Sequence, residues 1–209
     1  MSTHPIKPRT LGIYLVALLA GMVAVYNLPQ LDFIAGWQNP ESTLTVKFFQ
    51  FISDSISYIS FGVPVLLTIV GEFKQDSDKK KNRLSLLYVV LSIAVAGLTS
   101  YLMKKSFLEP RPYEVDPRIA QLSVGGGYSL PSGHTTEAFA SAMAVTLLFP
   151  RWYAFVPMFS WASIVALSRI YLGVHYPFDI LVGMFIGSVS SCAFYFLVFQ
   201  KYVNHALAG

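Results

Sequence analysis

The chain has 209 residues, 54% of them hydrophobic and only 12% charged, with a formal net charge of +4. A soluble domain of this size carries about 25% charged residues, so this composition, with mean hydropathy +0.54 and pI near 9.1, argues against a soluble enzyme and for a membrane protein. The basic excess fits cytoplasmic loops beside anionic lipid rather than nucleic acid, for which no aromatic-plus-basic stripe is present. The single cysteine, Cys192, lies in an apolar run and excludes an intrachain disulfide and a cysteine-rich metal centre.

A helix crossing a hydrocarbon core about 30 Å thick needs roughly 17 to 25 apolar residues. Six runs meet that need, near 11–27, 55–71, 84–103, 134–150, 152–171 and 177–199. The predicted fold is all-α: a polytopic membrane protein with six transmembrane helices in one bundle, the whole of 1–209 forming one integral-membrane domain. The first run follows Lys7 and Arg9 but lacks a small-residue cleavage site and is long for a signal peptide, so it is expected to be a retained helix. Between the first two runs, TLTVKFFQFIS (43–53) is either an interfacial helix with Phe48, Phe49, Phe51 and Ile52 at the acyl boundary, or an extension of the second span. The stretch 104–133 is a long hydrophilic loop, and its SVGGGYS is expected to be flexible because glycine is conformationally permissive. Glu137, one turn after His134, either tunes that histidine or is an ordinary first-turn acid.

Orientation follows from the basic residues. One face collects Lys7, Arg9, Lys74, Lys79, Lys80, Lys81, Arg83, Arg151 and Lys201; the other holds Lys47, Lys104, Lys105, Arg111, Arg118 and Arg169. The run DKKKNR (78–83) assigns the first face to the cytoplasm, which turns the second outward. The expected location is a bacterial inner membrane, with the site on its outer, periplasmic side.

Three segments with unusual residues fall on that second face: KKSFLEPRP (104–112), PSGH (131–134) and SRIYLGVHYPFD (168–179). Arg111 and Arg169 carry forked donors suited to phosphate oxygens, and Lys104 adds a point charge. Pro131 and Ser132 have the character of a helix start, where free N–H groups make an anion site, and Gly133 permits close backbone approach. His175 and Asp179 are four residues apart, and with Pro177 opening a helix the carboxylate can reach back to the ring. A carboxylate on one ring nitrogen fixes the tautomer and frees the other for attack, which is the logic of a triad with histidine as nucleophile. The sequence offers no carboxylate cluster for magnesium, so neither metal nor cofactor is expected.

Lys104, six residues, Arg111-Pro112, then Pro131-Ser132-Gly133-His134, then Ser168-Arg169, five residues, His175, three residues, Asp179: this set resembles the type 2 phosphatidic acid phosphatase (PAP2) family, whose signature is K-x6-R-P, P-S-G-H and S-R-x5-H-x3-D. Every signature position is matched. The resemblance implies a helical bundle and metal-independent dephosphorylation of a membrane lipid phosphate or diphosphate through a phosphohistidine. It implies that His175 is the nucleophile, Asp179 its orienter and His134 the general acid, with Lys104, Arg111, Ser132, Gly133 and Arg169 binding phosphate. Transfer of the phosphoryl group to another acceptor is the alternative, and a non-catalytic lipid-binding or lipid-moving protein is a third. The identity of the lipid, whether undecaprenyl diphosphate, phosphatidylglycerophosphate, phosphatidate or a lipid A phosphate, and the oligomeric state are not written in the motifs.

Overall fold

The computed structural model describes residues 8–73 and 78–200. Lys7, Lys74 and Lys201, used above for orientation, lie outside the described residues. Those described form helices and connecting turns, with no strand among them. In chain order these are α1 (Pro8–Tyr26), α2 (Gln30–Trp37), α3 (Thr43–Asp54), α4 (Ile56–Phe73), α5 (Lys79–Phe107), α6 (Pro112–Val115), α7 (Gly133–Leu148), α8 (Trp152–Tyr171) and α9 (Pro177–Phe194), the last running on through a π-helical turn, Tyr195–Phe199.

Among the described residues five helices, α1, α4, α5, α8 and α9 with its extension, are long and apolar enough to cross a membrane. Their outer faces expose Val16, Val23, Leu66, Leu87, Leu98 and Leu167, side chains that water would not tolerate in such number but lipid does. The run expected as the fourth span forms α7, which has only 16 residues, about 24 Å at 1.5 Å per residue. It is enclosed by α4, α5, α8 and α9 rather than lipid-facing, and nearly all of it from Thr135 to Leu147 is buried. By contrast α5, with 29 residues, is about 44 Å long and overruns a hydrocarbon core at its ends. The DKKKNR run supplies its first turn: Asp78 caps it by accepting from the Lys81 N–H at 2.9 Å.

The central contact is α7 against α9. Gly183, Gly187 and Ser191 recur every four residues on α9 and face Ser132, Thr136 and Ala140, which recur with the same period. A Cβ at Gly187 would lie 2.4 Å from the Thr136 carbonyl oxygen, and one at Gly183 would lie 2.9 Å from that of Ser132. Two backbones this close leave no room for a side chain, the small-residue packing that membrane helices use in place of a hydrophobic driving force.

The segment 43–53 is a helix in its own right, broken from α4 at Ser55, and not a continuation of the span. Leu44, Phe48 and Phe51 are exposed on one side of α3. On the other side Phe49 lies 4.5 Å from the Tyr171 ring, which also meets Trp37 of α2 at 5.5 Å. The short α2 lies outside the six runs predicted above. The residue after it, Gln38, donates to the carbonyls of Ala120 and Tyr171 and accepts from the Ala120 N–H, joining it to the α6–α7 connection and the end of α8. Gly173 sits there at φ +76°, a left-handed turn that glycine adopts without strain.

Replacing Gly187 by Val should cost at least about 1–3 kcal/mol by forcing α9 off α7, seen as a lowered thermal midpoint and loss of monodispersity in detergent. Gly97→Ala, where nothing lies within 4 Å of an added Cβ, should leave both unchanged.

Candidate active site

The three signature segments meet at one end of the bundle, where α5 and α8 end and α7 and α9 begin. Arg111, the N-cap of α6, donates from Nη1 to the Val174 carbonyl at 2.7 Å, which ties the first segment to the third. The Ser132 N–H donates to the Asp179 carbonyl at 3.2 Å, which ties the second to the third.

At the centre is the pair of His175 and Asp179, each about 2% exposed. His175 lies in the turn before α9, and Pro177 opens that helix, so Asp179 falls in its first turn. Asp179 Oδ2 lies 3.2 Å from His175 Nδ1 and accepts the Tyr176 N–H at 3.0 Å. A ring that donates from Nδ1 to a carboxylate keeps its lone pair on Nε2. Burial, followed by the charges of Lys104, Arg111 and Arg169, holds the His175 imidazole well below its usual titration range, so it is neutral at neutral pH.

The cations surround this pair in unequal ways. Arg169, in the last turn of α8, is 3% exposed. Its Nη1 donates to the hydroxyls of Ser53, on α3, and Ser123, while its buried Nε–H has no partner. Lys104 Nζ donates to the carbonyls of Tyr128 at 2.6 Å and Ser129 at 3.0 Å. Arg111 spends its donors on backbone: Nε on Gly127 at 2.9 Å, and Nη2 on Gly126 at 2.9 Å and Tyr128 at 3.3 Å, besides Val174. The glycine-rich stretch expected to be flexible is therefore held by two cations. The expected single loop 104–133 is also partly structured, since α5 runs on to Phe107, α6 follows, and Ile119 and Leu130 are buried.

Ser132 caps α7, its hydroxyl accepting from Thr135 Oγ1 at 2.9 Å and its carbonyl from Thr136 Oγ1 at 2.9 Å. The hydroxyl is engaged within the helix start rather than presented outward. Gly133 and His134 follow as the first residues of α7, where an N–H has no intrahelical acceptor. A Cβ at Gly133 would meet nothing within 4 Å, so the helix start faces open space. His134 is partly exposed and within electrostatic reach of Arg169, His175, Arg111 and Lys104. Among the described residues no group of three His, Cys, Asp or Glu side chains is placed to hold a metal ion.

All eight residues singled out above thus belong to one region, but three serines that hold it carry no mark in the sequence. Ser53 and Ser123 fix the Arg169 guanidinium. Ser129 donates to Asp179 Oδ2 at 2.5 Å and lies 3.4 Å from His175 Nδ1. No periodicity or charge marks any of them.

Fold and site together define a membrane-embedded helical protein with a histidine–carboxylate pair inside a ring of cations, an arrangement suited to binding and attacking a phosphoryl group. The PAP2 superfamily profile matches residues 85–202, more than half of the chain and all three segments. The chain belongs to that superfamily and is an integral membrane protein. Over 126 residues, 55% of this chain and 56% of the relative, it is 33% identical to a lipid A 4'-phosphatase of Bacteroides thetaiotaomicron. Over 110 residues, 52% of this chain and 53% of the relative, it is 30% identical to an undecaprenyl-diphosphatase of Sulfolobus acidocaldarius. The chain thus spans about half the length of these curated relatives. The crystal structure of Aquifex aeolicus LpxE is similar with a TM-score of 0.66 and 25% identity, covering 80% of this chain and 95% of that one.

His175 makes one contribution to the pH dependence of stability. An unfolded histidine titrates near 6.5, whereas the buried, cation-flanked ring resists protonation. As pH falls below about 6.5 the unfolded state therefore takes up a proton that the folded state does not, and stability falls. The thermal midpoint should drop between about pH 6.5 and 5, and His175→Asn should drop less; an equal drop in both would remove His175 as the cause.

Proposed function

We propose that this chain hydrolyses a lipid phosphate or diphosphate through a phosphohistidine on His175. The observation that supports this best is the buried His175–Asp179 pair flanked by Lys104, Arg111 and Arg169. The phosphatases among the relatives act on lipid phosphates of quite different structure, which leaves the phosphoryl group as the common element.

In the proposed reaction the phosphoryl group lies against the start of α7, between the free Arg169 Nε–H and the Gly133 and His134 N–H groups. His175 Nε2 attacks phosphorus as the bond from phosphorus to the lipid oxygen breaks, and His134 gives that oxygen a proton. Asp179 stabilises the positive charge on the His175 ring. Water, deprotonated by His134, then breaks the P–N bond and releases phosphate. No step calls on a metal, since fixed cations carry the oxygen charge.

The reaction faces the outer side of a bacterial inner membrane, as the DKKKNR run argues, with α7 completing six spans. The lipid enters sideways. A cavity of about 490 Å³ lined by Tyr26, Met103, Phe107, Phe178 and Val182 reaches Asp179, and its apolar wall accommodates an acyl or prenyl chain.

Phosphate release by purified protein in detergent, across phosphatidate, phosphatidylglycerophosphate, undecaprenyl diphosphate and lipid A, tests the proposal. His175→Ala should fold and release none; substantial release would overturn the covalent scheme. Arg169→Lys loses the fork and should lower kcat/KM by about 10²- to 10³-fold. Activity should survive EDTA, and inhibition reversed by magnesium would refute metal independence. Lys105→Cys, in a chain lacking Cys192, should react with an impermeant thiol reagent in intact cells or spheroplasts; labelling only after lysis would reverse the orientation.

A further inference from the structure

Ser129 carries none of the signature, yet it touches the first and third segments and stands just before the second. It lies two residues before Pro131 and is fully buried. Its N–H donates to the Glu109 carbonyl at 2.8 Å, just before Arg111. Its carbonyl accepts from Lys104 at 3.0 Å, and its hydroxyl reaches Asp179 Oδ2 at 2.5 Å and His175 Nδ1 at 3.4 Å. A single residue thus meets Lys104 through its backbone carbonyl and both members of the pair through its hydroxyl.

The hydroxyl has one proton, and the nearer acceptor is Asp179. Two further donors crowd the same oxygen, the Tyr176 N–H at 3.0 Å and the His175 ring at 3.2 Å. With the serine proton committed to the carboxylate, His175 Nδ1 gains nothing by being the acceptor. It must be the donor, and the lone pair stays on Nε2. We propose that Ser129 is a positioning residue: its hydroxyl holds the carboxylate in place and selects the His175 tautomer that can attack phosphorus. This rests on the proposed reaction and adds to it a residue outside the three segments.

The role predicts a particular pH signature. The groups facing His175 are Lys104 from α5, Arg111 at the start of α6, His134 from α7, Arg169 from α8 and Asp179 from α9. Only Asp179 among them is negative. The serine donor disperses that charge; without it, the carboxylate attracts a proton onto the imidazole more strongly. Protonated His175 cannot attack, so the acid limb of the activity profile moves to higher pH.

The test compares wild type, Ser129→Ala, Ser129→Thr and His175→Ala in detergent, on whichever lipid of the panel is turned over, after thermal melting has shown each to be folded. Ser129→Ala should lose about 10- to 100-fold in kcat with KM within about twofold, as expected of a residue that orients the reacting group. Its acid limb should move up in pH, and Ser129→Thr, which keeps a hydroxyl, should recover most of the rate and the limb. A wild-type rate and profile in Ser129→Ala would overturn the inference. So would a rate loss with an unmoved acid limb that threonine fails to rescue, the mark of a merely structural serine. If Ser129→Ala fails to fold, the threonine variant decides alone: near wild-type kcat and profile support the role, and a large loss in a folded protein overturns it. Activity in His175→Ala would instead bring down the reaction scheme, a separate result from any of these.

Discussion

Two helix starts lie side by side here because glycine stands where a side chain would hold them apart. The approach of α9 to α7 at Gly183 and Gly187 sets the Asp179 carbonyl against the Ser132 N–H, and with it the carboxylate beside the first turn of α7. A contact a few ångströms looser would separate the two. The same contact explains why α7 is both short and enclosed. Its small residues admit neighbours on every side, so it need not satisfy lipid along a full span.

The cations at this end are held differently, and that divides their labour. Arg111 binds four backbone carbonyls, which makes it the builder of the 126–128 turn before any part in the proposed phosphate binding. Lys104 also sits on carbonyls, but an ammonium on a flexible stem exchanges partners readily, and a phosphate oxygen is a stronger acceptor than an amide. Arg169 is clamped at one nitrogen by Ser53 and Ser123 and keeps a buried Nε–H with no partner. An unpaired buried donor on a cation is costly, and a phosphate oxygen bound against it would remove the cost. Orientation at Arg169 thus comes from α3, a helix outside the signature segments, which gives the amphipathic 43–54 stretch a part in the site as well as on the surface.

The residues that announced themselves in the sequence were those whose type is expensive in an apolar chain: Arg169, His175 and Asp179 near two membrane spans, and Lys104 and Arg111 after a third. Alternation of spans was enough to put them at one end, and the i, i+4 spacing of His175 and Asp179 was enough to pair them. What could not be read were the supports. Ser129 acts across 50 positions to Asp179, and Ser53 across 116 to Arg169. A serine in a loop or on an amphipathic helix is ordinary by composition, and only the fold gives it a partner. The glycine-rich stretch misled for a related reason. Glycine widens the range of backbone conformations open to a chain, but its carbonyls remain, and one buried and one half-buried cation needing acceptors fix one conformation from that range.

The proposed reaction sets the two histidines an opposite requirement, one neutral and one protonated, in a setting where every nearby charge but one is positive. Burial and three cations account for the neutral ring of His175 without any ligand. His134 lies within electrostatic reach of the same cations, and Asp179 is already committed to Ser129, His175 and Tyr176. The missing negative charge is the substrate's own. A phosphate bearing two charges at the start of α7 offsets most of the three cations and so favours an imidazolium at His134 at the moment an acid is needed. On this account the acid is armed by the group it will act on. Partial exposure of His134, beside a fully enclosed His175, then has a purpose: the proton must come and go with each turnover, while the nucleophile needs only to remain as it is.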